Sequence, residues 1–175
     1  SAVPSNEYVG GSIMSVPLAG GTPTTLAAGT SHPEGLALDA SNVYFTSRDD
    51  FTVMKVPVAG GTVTTLASQQ TQPSTIVVDG TTAYWVNLDG EVMSVPLAGG
   101  PPTRLALANA LGLAIDAGYL YYATGGAVMK LPVGGGAATV LAAGSAAGPI
   151  AVRDGCVYWV EVDGCTTRIM TTSEE

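Results

Sequence analysis

The chain has 175 residues, enough for one well-buried domain. Its 46% hydrophobic and 11% charged content, with 23 Gly and 11 Pro, suits many short strands joined by tight turns and argues against helices with a charged outer face. The formal net charge of −8 combines 14 acidic with 6 singly scattered basic residues, so neither nucleic acid nor an anionic membrane is expected as a partner. The longest apolar runs, Leu111 to Ile115 and Val157 to Val162, fall far short of the roughly 20 residues of a membrane helix. The chain opens Ser-Ala-Val-Pro, without a basic start and apolar run, so an export signal is expected to be already removed or never present.

The first element is Ile13-Met14-Ser15-Val16-Pro17-Leu18-Ala19-Gly20-Gly21, followed by Thr24-Thr25-Leu26-Ala27. Next come Gly35-Leu36-Ala37-Leu38-Asp39 and Val43-Tyr44-Phe45, and then the first segment returns as Val53-Met54-Lys55-Val56-Pro57-Val58-Ala59-Gly60-Gly61. Thr64-Thr65-Leu66-Ala67 closes a unit of four short runs. The unit repeats with Thr75 to Asp79, Ala83-Tyr84-Trp85 and Val92 to Gly100, and again with Gly112 to Asp116, Leu120-Tyr121-Tyr122 and Val128 to Gly136. Pro149 to Arg153, Val157-Tyr158-Trp159 and a degenerate Ile169-Met170-Thr171-Thr172 end the series. The methionine segments begin at residues 13, 53, 92, 128 and 169, and all five methionines share one repeat position.

Each run is four to six residues long, rich in β-branched and aromatic types, and bounded by Gly, Asn, Asp or Pro, as strands are. Within a unit we call them A (apolar, mostly ending in Asp), B (aromatic), C (Met-bearing) and D (Thr-Leu-Ala). Four sequential strands at a period near 40 residues predict an all-β propeller of four-stranded antiparallel blades, with four blade-equivalents in one domain over residues 1–175. Complete blades are expected at about 35–68, 74–107 and 112–143, with partial blades at 1–30 and 149–172. Joining the ends makes a fourth blade and leaves one C segment redundant. Two closures follow: a four-bladed ring within one chain, or two chains joined through their terminal fragments into an eight-bladed homodimer.

The order apolar-Ala-apolar-Asp, Tyr-Trp, Met-x-Val-Pro-Leu-x-Gly-Gly and Thr-x-Leu-Ala resembles the YWTD-type and NHL-type propeller families over most of the chain. Tyr-Phe-Thr-Ser, Tyr-Trp-Val-Asn, Tyr-Tyr-Ala-Thr and Tyr-Trp-Val-Glu stand where the YWTD family has its tetrapeptide. The resemblance implies a binding scaffold for a protein or carbohydrate, secreted or at a cell surface, since few members are enzymes. The blades' high mutual similarity also suits a recently amplified, truncated or engineered propeller. The small angle between blades of this type favours the eight-bladed dimer.

Candidate ligand-binding residues lie on the rim formed by the D-to-A and B-to-C loops: His32, Glu34, Arg48, Asp49, Gln72, Asn87, Asp89 and Asn109. His32 is the one histidine, and no Gly-x-Ser-x-Gly elbow accompanies it, so no catalytic residue is assigned and a solvated loop histidine is expected. The competing reading is a lyase or hydrolase with its site at the central channel. Propeller lyases that resemble the streptogramin-cleaving type use more than one histidine. A strands that begin with Gly35, Thr75, Gly112 and Pro149 favour the scaffold, and a purely structural or engineered assembly unit is the third reading. Two cysteines and one histidine cannot make a four-ligand soft-metal site, and no Asp-x-Asp-x-Asp-Gly run is present, so neither metal nor cofactor is expected. Asp39, Asp79 and Asp116 are expected to bond nearby backbone. The tyrosines and methionines are expected in the core between sheets. Cys156 and Cys165 flank strand B, about six residues at roughly 3.3 Å each, beyond the about 7 Å a disulfide spans, so they are expected to be unbonded.

Overall fold

The computed structural model describes residues 10–163 and 166–173, and within them the chain is all-β and antiparallel throughout. Strands β1 (Gly11–Ser15) and β2 (Thr24–Thr30) form a two-stranded sheet. A four-stranded meander follows in β3 (Pro33–Leu38), β4 (Asn42–Ser47), β5 (Thr52–Pro57) and β6 (Thr64–Ala67). The second comprises β7 (Pro73–Val78), β8 (Thr82–Asn87), β9 (Glu91–Pro96) and β10 (Thr103–Leu107). The third comprises β11 (Gly112–Asp116), β12 (Tyr119–Ala123), β13 (Ala127–Pro132) and β14 (Thr139–Ala143). A three-stranded sheet of β15 (Ala146–Arg153), β16 (Cys156–Asp163) and β17 (Thr166–Ser173) completes the series.

The repeat chemistry explains the shared geometry. The C strands β5, β9 and β13 end in proline, which cannot continue the ladder, and Pro17 follows β1; the amide of Gly20, Gly60, Gly99 or Gly135 donates to the carbonyl of Pro17, Pro57, Pro96 or Pro132 at 2.9 Å. These glycines have φ of 84°, 79°, 95° and 83°, a region that L side chains rarely adopt. The B and C strands pair in one register throughout: Phe45 opposes Met54, Trp85 opposes Met93, Tyr122 opposes Met129 and Trp159 opposes Met170.

Blades pack face to face by a recurring arrangement. Ile13, Leu26 and Ala27 of the two-stranded sheet cluster with Val43, Phe45 and Val56 of the first blade. One repeat on, Val53, Leu66 and Ala67 cluster in the same way with Ala83, Trp85 and Val95. Near the axis, Tyr44 joins the cluster that contains Ile76, and Tyr84 the cluster that contains Leu113. The B-strand tyrosines and the methionines thus lie largely between sheets as expected, although Met14 is exposed. The inner strands approach so closely that a Cβ on Gly35 would meet the Ser74 carbonyl oxygen at 2.2 Å, and one on Gly112 the Gly148 carbonyl oxygen at 2.2 Å. Thr46 ties the first two blades together: it accepts from the Gly35 amide at 2.8 Å and donates to the Ser74 carbonyl at 2.7 Å. Lys55 adds an outer tie, its Nζ donating to the Leu97 carbonyl at 2.7 Å.

The pattern breaks at the two end sheets. Leu36 is 54% exposed, whereas Ile76 and Leu113, at the same repeat position, are each 4% exposed. Tyr158 is 40% exposed, whereas Tyr44, Tyr84 and Tyr121 reach at most 3%. Ile169 is 81% exposed, against at most 1% for Val53, Val92 and Val128. No hydrogen-bonded ladder joins β1 or β2 to β15, β16 or β17 among the described residues, so the two end sheets remain separate. The redundant C segment is β17, which pairs with β16 from Asp163 opposite Thr166 to Cys156 opposite Ser173. Cys156 has a free thiol, while Cys165 lies outside the described residues, as does the expectation for that pair.

Candidate functional site

Strand ends on one rim place the candidate residues. The D-to-A loop turns through a left-handed residue in three successive units, with φ of 56° at His32, 49° at Gln72 and 48° at Asn109. Such a backbone favours Asn over β-branched types, which gives these positions a conformational role apart from any ligand. Four of the eight candidates line one rim cleft of about 210 Å³: Glu34, Arg48, Gln72 and Asn87, beside Ser74 and Leu88. Arg48 Nη1 lies 3.6 Å from Glu34 Oε2, both half-exposed, so the cleft presents a paired cation and anion beside neutral amides.

Asn87 turns inward. It is 2% exposed, its Oδ1 accepts the Trp85 indole N–H at 3.0 Å, and its Nδ2 lies 3.5 Å from Gln70 Oε1. His32 Nδ1 lies 3.5 Å from Asp49 Oδ2 on the exposed loop, outside the residues lining the cleft. Asp89 accepts from the Glu91 amide at 3.3 Å, as a turn residue does. Asn109 backs directly onto Gly90, where a Cβ would meet the Asn109 Cα at 2.3 Å, and it borders a different groove, between the second and third blades.

Two rim features escape a residue-by-residue reading of the sequence. Asp50, rather than its neighbours Arg48 and Asp49, organises the first loop: its Oδ2 accepts from the Ser31 amide at 2.7 Å and the Ser47 hydroxyl at 2.6 Å. Burial opposes its ionisation, but these hydrogen bonds outweigh it and hold the carboxyl below its usual value. The last position of the B-strand tetrapeptide is the second: Ser47, Asn87 and Thr124 each bond the adjoining loop or turn, Thr124 accepting from the amides of Gly126 and Ala127. The signal for the second was the alignment of repeats, which sets Ser47, Asn87 and Thr124 in one column.

On the opposite rim, Asp39 accepts the amides of Ser41 and Asn42, each at 2.7 Å, and the Tyr44 hydroxyl at 2.6 Å. Asp79 repeats this with Thr81, Thr82 and the Tyr84 hydroxyl at 2.8 Å. The Tyr44 hydrogen bond is the main reason that the Asp39 carboxyl lies below its usual value. For Asp79, burial pulls the other way and the hydrogen bonds prevail. Burial, followed by the hydrogen bond to its aspartate, pushes the phenols of Tyr44 and Tyr84 up to about 12. These are the expected backbone contacts, joined by a tyrosine hydroxyl.

The innermost strands border a half-open cavity of about 260 Å³ lined by Thr75, Leu111, Gly112, Leu113, Gly148, Pro149 and Ile150, with Thr75 its polar side chain. Among the described residues, no three His, Cys, Asp or Glu side chains gather as metal ligands would.

No protein-family model and no curated protein matches the sequence. Solved structures do. A chain in the crystal structure of a nidogen/laminin complex is 22% identical with a TM-score of 0.77, over 91% of this chain and 67% of that one. XC5397, a gluconolactonase from Xanthomonas campestris, is 17% identical with a TM-score of 0.67, over 93% and 66%. A streptogramin B lyase is 12% identical with a TM-score of 0.60, over 83% and 55%. The chain therefore spans from about half to two thirds of these proteins, and at such identities the likeness extends to the fold alone. Taken with the repeated blades, it makes this chain a β-propeller in fold.

Proposed function

We propose that the protein is a non-enzymatic propeller scaffold whose two end sheets are completed by a second copy, giving an eight-bladed ring that presents the rim cleft to a protein or carbohydrate. The observation that carries this reading is the complementarity of the two uncovered faces. Between complete blades, a B-strand tyrosine packs on the second A-strand residue of the next blade, as Tyr44 does with Ile76 and Tyr84 with Leu113. Tyr158 lacks the following leucine, and Leu36 lacks the preceding tyrosine. Each end carries what the other is missing, and large uncovered apolar positions favour association. A second copy satisfies both ends at once through two-fold symmetry.

The scaffold reading draws support from the cavity beside the inner strands, whose lining residues include no titratable group. On the rim, the Arg48–Glu34 pair borders the cleft and the His32–Asp49 pair lies on the loop outside it. Turnover of a lactone or a cyclic ester by the purified chain, lost in Arg48→Ala, would overturn the non-enzymatic reading.

Sedimentation of the intact chain and of Leu36→Asp tests the assembly. The expected result is a dimer of twice 17.5 kDa for the intact chain and a folded monomer for the variant, because Leu36 is already half-exposed within one copy. A monomeric intact chain overturns the proposal.

A further inference from the structure

Strand β17 occupies a place that the repeat assigns to another strand. It lies beside β16 in the C-strand register, Met170 opposite Trp159, as Met93 lies opposite Trp85. Yet it departs from the C segments that begin with Ile13, Val53, Val92 and Val128: Thr172-Ser173 stands where those have a hydrophobic residue and proline. Meanwhile β1 carries the full C-strand sequence, pairs with its D strand β2, and has no B strand beside it among the described residues. Its distance from the axis is already fixed, because Ile13, Leu26 and Ala27 pack on the first blade as Val53, Leu66 and Ala67 pack on the second.

From this we infer that β17 is a placeholder, and that β1 of a second copy displaces it from β16 when the ring closes. The inference rests on the dimeric ring proposed above and specifies its mechanism. Were β17 to stay, β16 would sit one strand spacing, roughly 4.8 Å, closer to the axis, and β15 would be driven inward with it. The inner strands have no such room, since their backbones already exclude a Cβ at Gly35 and Gly112. With β17 gone, Ile13 of one copy lies opposite Val160 of the other, Met14 opposite Trp159 and Ser15 opposite Tyr158. The exchange replaces the eight-residue β17 with the five-residue β1 on the β16 ladder, so it gives up some hydrogen bonds. The gain is apolar: Leu36 and Leu38 of one copy meet the shallow apolar hollow of about 190 Å³ around Ala151 and Tyr158 of the other, with Ile13 taking the place in its lining that Ile169 of β17 now holds. Ile169 explains itself in this scheme, because a strand that is to be expelled has no need to bury its outer face.

The test pins β17 in place. Val160 and Ile169 are cross-strand partners, so Val160→Cys with Ile169→Cys, in a background where Cys156 and Cys165 are serine, forms a disulfide across β16 and β17 on oxidation. The inference predicts a dimer when the variant is reduced and a monomer when it is oxidised, measured by native mass. A dimer in both states overturns the exchange and leaves the ring standing; a monomer in both states, with an unmodified chain that is also monomeric, overturns the ring. Hydrogen exchange on the unmodified dimer guards against a pin that disturbs folding. Amides of Met170 and Thr171 are expected to exchange at open-chain rates while those of β1 are protected, and protection of Met170 equal to that of Met54 would refute the displacement.

Discussion

Replacing Thr46 with valine removes a single hydroxyl from the joint between the first two blades and changes little in shape. Thr46 is fully buried, and its Oγ1 both accepts the Gly35 amide at 2.8 Å and donates to the Ser74 carbonyl at 2.7 Å. The variant strands one backbone donor and one backbone acceptor at a joint so tight that Gly35 has no room for a Cβ against the Ser74 carbonyl. An orphaned buried group costs about 1–3 kcal/mol, so the pair should cost about 2–6 kcal/mol. For a domain of this size, at about 2–4 °C per kcal/mol, that lowers Tm by about 4–24 °C. Thr46→Ser keeps the hydroxyl and loses only a methyl, about 1 kcal/mol. Thermal unfolding of all three proteins at one concentration makes the comparison, since self-association shifts apparent stability. A valine variant as stable as the serine variant would refute the bridging role.

Asn87→Leu should act through Trp85, whose buried indole N–H loses its acceptor, destabilising the protein by about 1–3 kcal/mol in denaturant titration. If Asn87 instead matters only as a rim contact, its loss leaves the unfolding midpoint unchanged. The aspartate–tyrosine pairs predict both limbs of the pH profile. Because the folded carboxyls of Asp39 and Asp79 lie below their ordinary value, their stabilisation is intact above that value and lost as pH falls through the lowered one, so Asp39→Asn with Asp79→Asn should flatten the acid limb. The Tyr44 and Tyr84 phenols rise from 10 to about 12, so their contribution is intact below pH 10 and lost between 10 and 12, which ultraviolet titration of the tyrosines can follow.

The repeat was legible because each strand carries its own chemistry. The proline after each C strand, the Gly-Gly turn and the aromatic B strand mark out a blade without reference to long-range contacts. The site was less legible, for reasons that differ between residues. Asn87 shares a rim position with Ser47, yet only the fold reveals that it faces the Trp85 indole two residues earlier on its own strand. The tyrosine hydroxyls of Tyr44 and Tyr84 reach back across a hairpin to Asp39 and Asp79, a distance set by turn length that an apolar pattern does not encode. Asp50 was hidden beside two charged neighbours, Arg48 and Asp49, where composition alone cannot tell a solvated carboxylate from one that accepts two hydrogen bonds. The redundant C segment was visible as a fifth methionine, but its register on β16, which makes it a competitor for β1, required the ladder itself.

The central claim, that Leu36 and Tyr158 cover one another across two copies, is tested most directly by hydroxyl-radical footprinting of the intact chain over a concentration series. The account predicts that both residues become protected together as concentration rises, approaching the protection of Ile76 and Tyr84, while those two remain protected throughout. Leu36 and Tyr158 that stay reactive at every concentration, or protection of one without the other, would contradict it.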